Sequence, residues 1–98
     1  MRTFREYLAS LPEDEQRAIE IESKKLIFAY QLEMARKARR VSQKQLAAAL
    51  RVSQPAIAKM EHEEDMKLST LKRLVEGMGG TLRVEAEFPD GVSHRLTV

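Results

Sequence analysis

The chain has 98 residues, of which 43% are hydrophobic and 33% are charged, and it contains no cysteine. This length and composition fit one globular domain with short extensions, and they exclude disulfides and thiolate metal sites. No apolar run approaches the ~20 residues that span a bilayer, so we expect a cytoplasmic protein without a membrane partner.

The net charge of +2 is unevenly distributed along the chain. Residues 32–60 carry seven basic residues and one acidic residue, whereas residues 1–31 and 61–68 are both net negative. A basic block of this kind is typical of a surface that neutralises phosphates, and it is equally typical of a solvated helix face. The charge pattern alone leaves both interpretations open.

The first third of the chain has a helical pattern. Thr3 predicts the cap of a short helix through Ala9, and Ser10 or Leu11 then precedes a helix whose first turn contains Pro12. Nothing interrupts that second helix, so residues 12–40 are either one long helix or two helices with a bend near Tyr30. Its apolar residues recur at helical spacing and belong to a core, a dimer seam or a surface for a partner protein: Ile19, Leu26, Tyr30 and Met34.

Two short helices follow, and each has a serine cap. Ser42 precedes the first, Gln43–Leu50, and Ser53 precedes the second, Gln54–Glu61, whose first turn tolerates Pro55. Two such helices joined by a tight turn are the helix-turn-helix plan, in which the second helix enters the major groove of DNA. We expect the small Ala47 where the helices cross and a core of larger side chains behind it: Leu46, Val52, Ile57 and Met60.

The C-terminal part changes from helical to strand periodicity. Ser69 is the expected cap of a further helix that ends at Gly79 and Gly80. Residues 81–88 and 92–98 then alternate between apolar and polar, and Pro89-Asp90-Gly91 between them is a turn signal. We therefore expect a β-hairpin, whose edge could pair with the hairpin of a second copy.

The middle of the chain resembles the Cro/C1-type (XRE family) helix-turn-helix domain of phage repressors. The resemblance rests on four segments in register: Leu32–Arg36, Ser42–Ala47, Val52–Ile57 and Met60–Glu61. With the long N-terminal helix and the Ser69–Leu82 segment leading into a strand, the arrangement is similar to HigA- and HipB-type antitoxins. The fold implied is mainly α, a lambda-repressor-like bundle with a long N-terminal helix and a C-terminal β-hairpin. Its parts are residues 1–31, a helical extension; 32–80, the DNA-binding domain; and 81–98, the hairpin.

The resemblance also implies roles for individual residues. Gln54 would meet a base edge, with Lys59 one turn along at guanine or phosphate, although both could be plain exposed polar residues. The other implied DNA contacts are a phosphate bond from Gln43, the cap Ser53, thymine-methyl contacts from Pro55 and Ala56, and the cations Arg40, Arg51 and Lys67. Arg40 and Arg51 stand where the family usually has glycine, so we expect strained left-handed backbone there. Arg36 and Glu61 match an internal salt bridge of the family.

The function implied is a sequence-specific DNA-binding antitoxin. Such a protein would bind a palindromic double-stranded operator as a homodimer, repress its own operon and neutralise a small ribonuclease-type toxin through residues 1–31. A stand-alone repressor without a toxin, such as a prophage regulator, is the alternative. We expect no enzyme and no cofactor, because Asp90, Ser93 and His94 lack the framework of a hydrolase triad, and His62 lies in a solvated acidic loop rather than a metal site.

Overall fold

A computed structural model describes residues 3–98, so the first two residues of the expected 1–31 extension lie outside the described part. The described chain is mainly α, as the sequence predicts, with five helices and one antiparallel hairpin. The elements are α1 Phe4–Ala9, α2 Glu13–Ala38, α3 Gln43–Leu50, α4 Gln54–Glu61, α5 Leu68–Gly77, β1 Val84–Glu87 and β2 Ser93–Leu96. None of the helices described here combines the length and apolarity that a bilayer crossing needs.

Of the two expected arrangements, the structure has one continuous helix α2, which is shorter at both ends than the expected 12–40. Its N-cap is Pro12, so this proline lies one residue before the helix and not inside the first turn, where the sequence predicts it. The Ser10 hydroxyl donates to the Tyr7 carbonyl at 2.6 Å and closes α1. The Gln16 side chain donates to the Leu11 carbonyl at 2.6 Å, which ties the connecting turn to the first turn of α2.

Three helices end in the same left-handed turn. After α2, α3 and α5, the residue with positive φ is Arg40 (57°), Arg51 (57°) and Gly79 (90°). In each case the next residue donates its N–H to a carbonyl five positions earlier, as Val41 does to Arg36. This Schellman arrangement favours glycine, so the two arginines adopt the strained backbone that the sequence predicts.

Side-chain caps fix the starts of α3 and α4 where the sequence predicts them. The Ser42 hydroxyl accepts from the Gln45 N–H while the Gln45 side chain accepts from the Ser42 N–H, which is a capping box. The Ser53 hydroxyl accepts from the Ala56 N–H at 3.2 Å. The expected cap of α5 is wrong, because that helix begins one residue before Ser69 and its N-cap is Lys67, without a side-chain hydrogen bond.

The core lies between α3, α4, α5 and the C-terminal third of α2. Its buried apolar residues are Leu32, Leu46, Ala47, Ile57 and Leu74, and Val52 and Met60 pack against them half-buried. Helix α5 approaches α3 closely at Gly77, where an added Cβ would lie 2.6 Å from a methyl carbon of Leu46. A larger residue at this position would push the two helices apart.

The hairpin is shorter than the alternating sequence predicts. Four residues pair on each side, from Val84 opposite Leu96 to Glu87 opposite Ser93. The turn forms at the predicted place, with Gly91 at φ 83° and the Val92 N–H donating to the Asp90 carboxylate at 2.9 Å. The segments before Val84 and after Leu96 are not paired as strand, so the alternating pattern extends beyond the ladder.

Candidate nucleic-acid interface

Helix α4 has one face in the core and one face in solvent. Ile57 and Glu61 are buried and lie one turn apart on the core side. A helix advances about 100° per residue, so Pro55 and Lys59 lie on the opposite side, and both are exposed. Gln54 is the first residue of the helix and is exposed as well. The leading end and the outer face of α4 are therefore accessible to a large ligand.

A buried ion pair holds the other end of α4. The Arg36 Nε lies 2.7 Å from the Glu61 Oε1, and only 8% and 1% of the two side chains are exposed. The same guanidinium donates from Nη1 to the Val41 carbonyl at 3.0 Å. Arg36 thereby links α2, the turn before α3 and the end of α4, in the structural role that the resemblance implies for this pair. Within the described chain, the Glu61 Oε2 is buried without a hydrogen-bond donor.

Helix α3 carries predicted contact residues at both ends. Gln43, the first residue of α3, is half-buried, and Arg40 and Arg51 before and after the helix are both exposed. Lys44 is also exposed in the first turn, although sequence reasoning did not single it out. Its position could have identified it from the sequence. A lysine in the first turn of a helix is unfavourable next to the positive end of the helix dipole, so Lys44 beside Gln43 calls for another role, such as binding phosphate.

The remaining predicted DNA contacts, Ser53, Ala56 and Lys67, differ in their exposure and in their distance along the chain from the outer face of α4. Ser53 is exposed, but its hydroxyl is already the cap of α4, and Ala56 is half-buried in the first turn of α4. Lys67 is exposed at the start of α5, separated from α4 by the acidic loop 62–66.

The His62 side chain is not part of a metal site. Over residues 3–98, no three side chains of His, Asp or Glu are placed to hold a metal ion, and a His62 ring nitrogen forms a hydrogen bond with the Ala58 carbonyl at 3.0 Å.

Two short helices in contact, a capped and exposed second helix, and cations around the first define a helix-turn-helix protein. A helix-turn-helix family model matches residues 32–84 of the chain. Comparison with curated proteins finds no match.

Two solved structures are similar to the chain. One is described as "Induced DNA bending by unique dimerization of HigA antitoxin"; it is 36% identical, with a TM-score of 0.62, over 68% of this chain and 91% of that one. The other, "DNA bound antitoxin HigA3", is 36% identical, with a TM-score of 0.58, over 64% of this chain and 83% of that one. The chain therefore belongs to the helix-turn-helix family, and within it to the antitoxins of HigA type.

Proposed function

We propose that this protein is a homodimeric operator-binding antitoxin that represses its own operon. The observation that carries the DNA-binding part is the exposed leading end of α4, with Gln54 and Lys59 accessible and the buried Arg36–Glu61 pair fixing the helix behind them. A helix presented in this way fits the ~12 Å major groove of B-DNA. The two HigA structures support the proposal, because their descriptions concern DNA-bound or DNA-bending antitoxins.

The proposed contacts divide into two kinds. Gln54 reads adenine through a bidentate hydrogen bond, Lys59 reads guanine or phosphate, and Pro55 and Ala56 contact thymine methyl groups. The other residues contact the phosphate backbone and set the register of the protein on the duplex: Gln43, Ser53, Arg40, Arg51 and Lys67. Base contacts determine sequence preference, whereas phosphate contacts determine how affinity depends on salt.

The experiment is operator selection from random duplexes, followed by gel shifts with variants. Gln54→Ala should weaken binding to the selected operator by about 1–3 kcal/mol, roughly 5-fold to 150-fold, and relax the base preference at one position of each half-site. Gln31→Ala is the matched control, because Gln31 is an exposed glutamine on α2 outside the matched family segment. Equal affinity for Gln54→Ala and wild type would reject Gln54 as a base contact, and failure to select any operator would reject the DNA-binding assignment.

Two copies are required for a palindromic site, because one recognition helix reads only a few base pairs and half-sites repeat once per helical turn. We assign dimerisation to residues 81–98. The hairpin lies outside the core, and every residue of β2 is exposed in the single chain.

The toxin-binding part of the proposal concerns residues 1–31. Their described portion is helical and presents large apolar side chains to solvent, among them Phe4 (69% exposed) and Leu26 (70%). Exposed apolar side chains at this density are typical of a protein-binding surface, and the expected partner is a small ribonuclease-type toxin.

Co-expression with the neighbouring reading frame, scored by growth, tests this part. Wild type should rescue growth, whereas Phe4→Glu with Leu26→Glu should not, although its operator binding should remain unchanged. If the neighbouring frame encodes no toxic protein, the stand-alone repressor becomes the better account, and the DNA-binding proposal is unaffected.

A further inference from the structure

A groove lies between the middle of α2 and the loop 62–66 that follows α4. Its volume is about 520 Å³, within the ~300–1,000 Å³ typical of sites that enclose a small molecule or a few side chains. It adjoins the last residue of α4, at the end opposite to Gln54, so it is separate from the proposed base contacts. We call it the acidic groove and define it by these lining residues: Lys25, Phe28, Ala29, Glu61, Glu64 and Met66.

Negative charge predominates along the acidic groove. Arg36 neutralises the buried Glu61, but four further carboxylates line the groove and are exposed: Glu22, Glu63, Glu64 and Asp65. The ammonium groups of Lys24 and Lys25 balance only half of this charge. Such a groove repels phosphate, so it disfavours nucleic acid as its ligand. It instead attracts an organic cation, because within residues 3–98 no three carboxylate or imidazole groups are placed to hold a metal ion.

Glu61 is the most deeply buried residue of the acidic groove, and one of its oxygens is an unused acceptor. Its Oε1 accepts from the Arg36 Nε at 2.7 Å, whereas its Oε2 is buried and has no donor among residues 3–98. Buried side-chain oxygens in folded proteins are normally hydrogen-bonded, because an unpaired polar group is costly to desolvate. A cationic donor at the bottom of the groove would complete the hydrogen bonding of this carboxylate.

A lysine of the chain already spans the acidic groove. The Lys25 Nζ lies 3.9 Å from the Glu64 Oε2 on the opposite wall and 3.7 Å from the Glu22 Oε1 on its own helix. Both distances are long for an ion pair, and the Glu64 and Glu22 side chains are 79% and 64% exposed, so neither pair is strong. These carboxylates therefore attract a cation without holding it firmly, and a guanidinium with its planar set of donors can replace the ammonium group.

We propose that the acidic groove receives an arginine or lysine side chain of the toxin. This inference rests on the proposed toxin binding and extends the toxin-binding surface from residues 1–31 to the loop 62–66. A ribonuclease binds a polyanion, so its surface carries basic residues that are complementary to the groove. The two surfaces are continuous, because Leu26, 70% exposed, also lines the groove. Phe28 and Ala29 provide apolar contacts for the methylene stem of the entering side chain.

Charge reversal tests the proposal by titration calorimetry of the full chain with the purified protein encoded by the neighbouring reading frame. Glu64→Lys should weaken binding by about tenfold or more, because like charges then meet in the groove. Glu76→Lys makes the same charge change at an exposed position of α5 outside the groove and should change the affinity by less than about threefold. Equal affinity for Glu64→Lys and wild type, or equal losses in both variants, would overturn the proposal.

Filling the acidic groove tests its shape without changing its charge. Ala29 is half-buried in the groove, and Ala29→Trp should weaken toxin binding by about tenfold or more, because the indole ring occupies the space of the entering side chain. Ala35→Trp, at an exposed position of α2 outside the groove, should leave the affinity unchanged. Normal toxin binding by an Ala29→Trp variant with the wild-type circular dichroism and melting temperature would contradict the proposal.

Phe4→Glu separates this inference from the proposed function, because Phe4 is exposed on α1 and does not line the groove. If Phe4→Glu abolishes toxin binding while Glu64→Lys and Ala29→Trp bind normally, the toxin assignment stands and the groove alone is rejected. If the wild-type chain does not bind the protein of the neighbouring frame, the toxin assignment and the groove are rejected together.

Discussion

Helix α2 belongs to two regions of the molecule that differ in packing. We call residues 32–80 the helix-turn-helix core and residues 3–31 the arm. Within α2, Leu32 and Arg36 are buried in the core, whereas no described residue of the arm is buried. One continuous helix is therefore packed into the helix-turn-helix core at one end and presents uncovered apolar side chains at the other. Both parts of α2 have a helical sequence pattern, and what distinguishes them is that one part is packed in the core and the other is exposed.

The largest expected effect comes from the buried ion pair of the core. Arg36→Ala leaves the Glu61 carboxylate buried without its cation and should lower the free energy of unfolding by about 3–5 kcal/mol in urea denaturation. Lys37→Ala is the control, because Lys37 pairs with Glu33 at 2.9 Å on the surface and should cost less than about 1 kcal/mol. Similar losses for both variants would remove the distinction between a buried anchor and a surface pair.

Matched leucine truncations compare the two regions directly. Leu46 is fully buried, and Leu46→Ala should cost about 2–5 kcal/mol through lost burial and the cavity that remains. Leu26 is 70% exposed, and Leu26→Ala should change thermal stability by no more than about 0.5 kcal/mol. A large loss for Leu26→Ala at low protein concentration would show that the arm packs against the protein itself.

A smaller effect is expected at the left-handed turn after α3. Arg51→Gly relieves about 1–2 kcal/mol of backbone strain, and the entropy of glycine in the unfolded chain offsets roughly 0.5–1 kcal/mol of it. The variant should therefore be slightly more stable, while its operator affinity falls through loss of a phosphate contact. Lys44→Gly, in the right-handed part of the same helix, should instead lose about 1 kcal/mol of stability. Destabilisation by Arg51→Gly would show that the arginine side chain stabilises the turn.

The smallest effect concerns pH. The hydrogen bond and the charge of Lys37 hold the pKa of Glu33 below its ordinary value of 4.5. Because the folded-state pKa is lowered, this stabilisation is present above pH 4.5 and is lost as pH falls through the folded value. The melting temperatures of wild type and Glu33→Gln should differ slightly at neutral pH and converge in acid. A difference that grows as pH falls would have the wrong sign.

The sequence predicts the features that depend on a few neighbouring residues. The caps Ser42 and Ser53 follow from local backbone chemistry, and the strained backbone at Arg40 and Arg51 follows from resemblance to a family that usually has glycine there. The Arg36–Glu61 pair, 25 positions apart, follows from resemblance to the family. These features surround the proposed DNA contacts, so much of that surface can be located before any coordinates are known.

Features that depend on packing are predicted less well. Helix α2 begins one residue later than predicted because Pro12 is its N-cap, and helix α5 begins at Leu68, so that Ser69 lies inside the helix. The alternating pattern around the hairpin is longer than its ladder, because alternation reports which face is apolar and not how many residues pair. For the arm, the sequence predicts a helix with apolar side chains but not the surface that buries them. In our proposal that surface belongs to another protein, the toxin.

Chemical-shift mapping by NMR of the isotope-labelled protein with its selected operator tests the central claim most directly. The account predicts that the largest backbone amide changes fall at the start of α3 and over Ser53–Lys59, while the arm from Glu13 to Gln31 stays unchanged. Changes concentrated in the arm, with the amides from Gln54 to Lys59 unaffected, would contradict the assignment of α4 as the element that reads DNA.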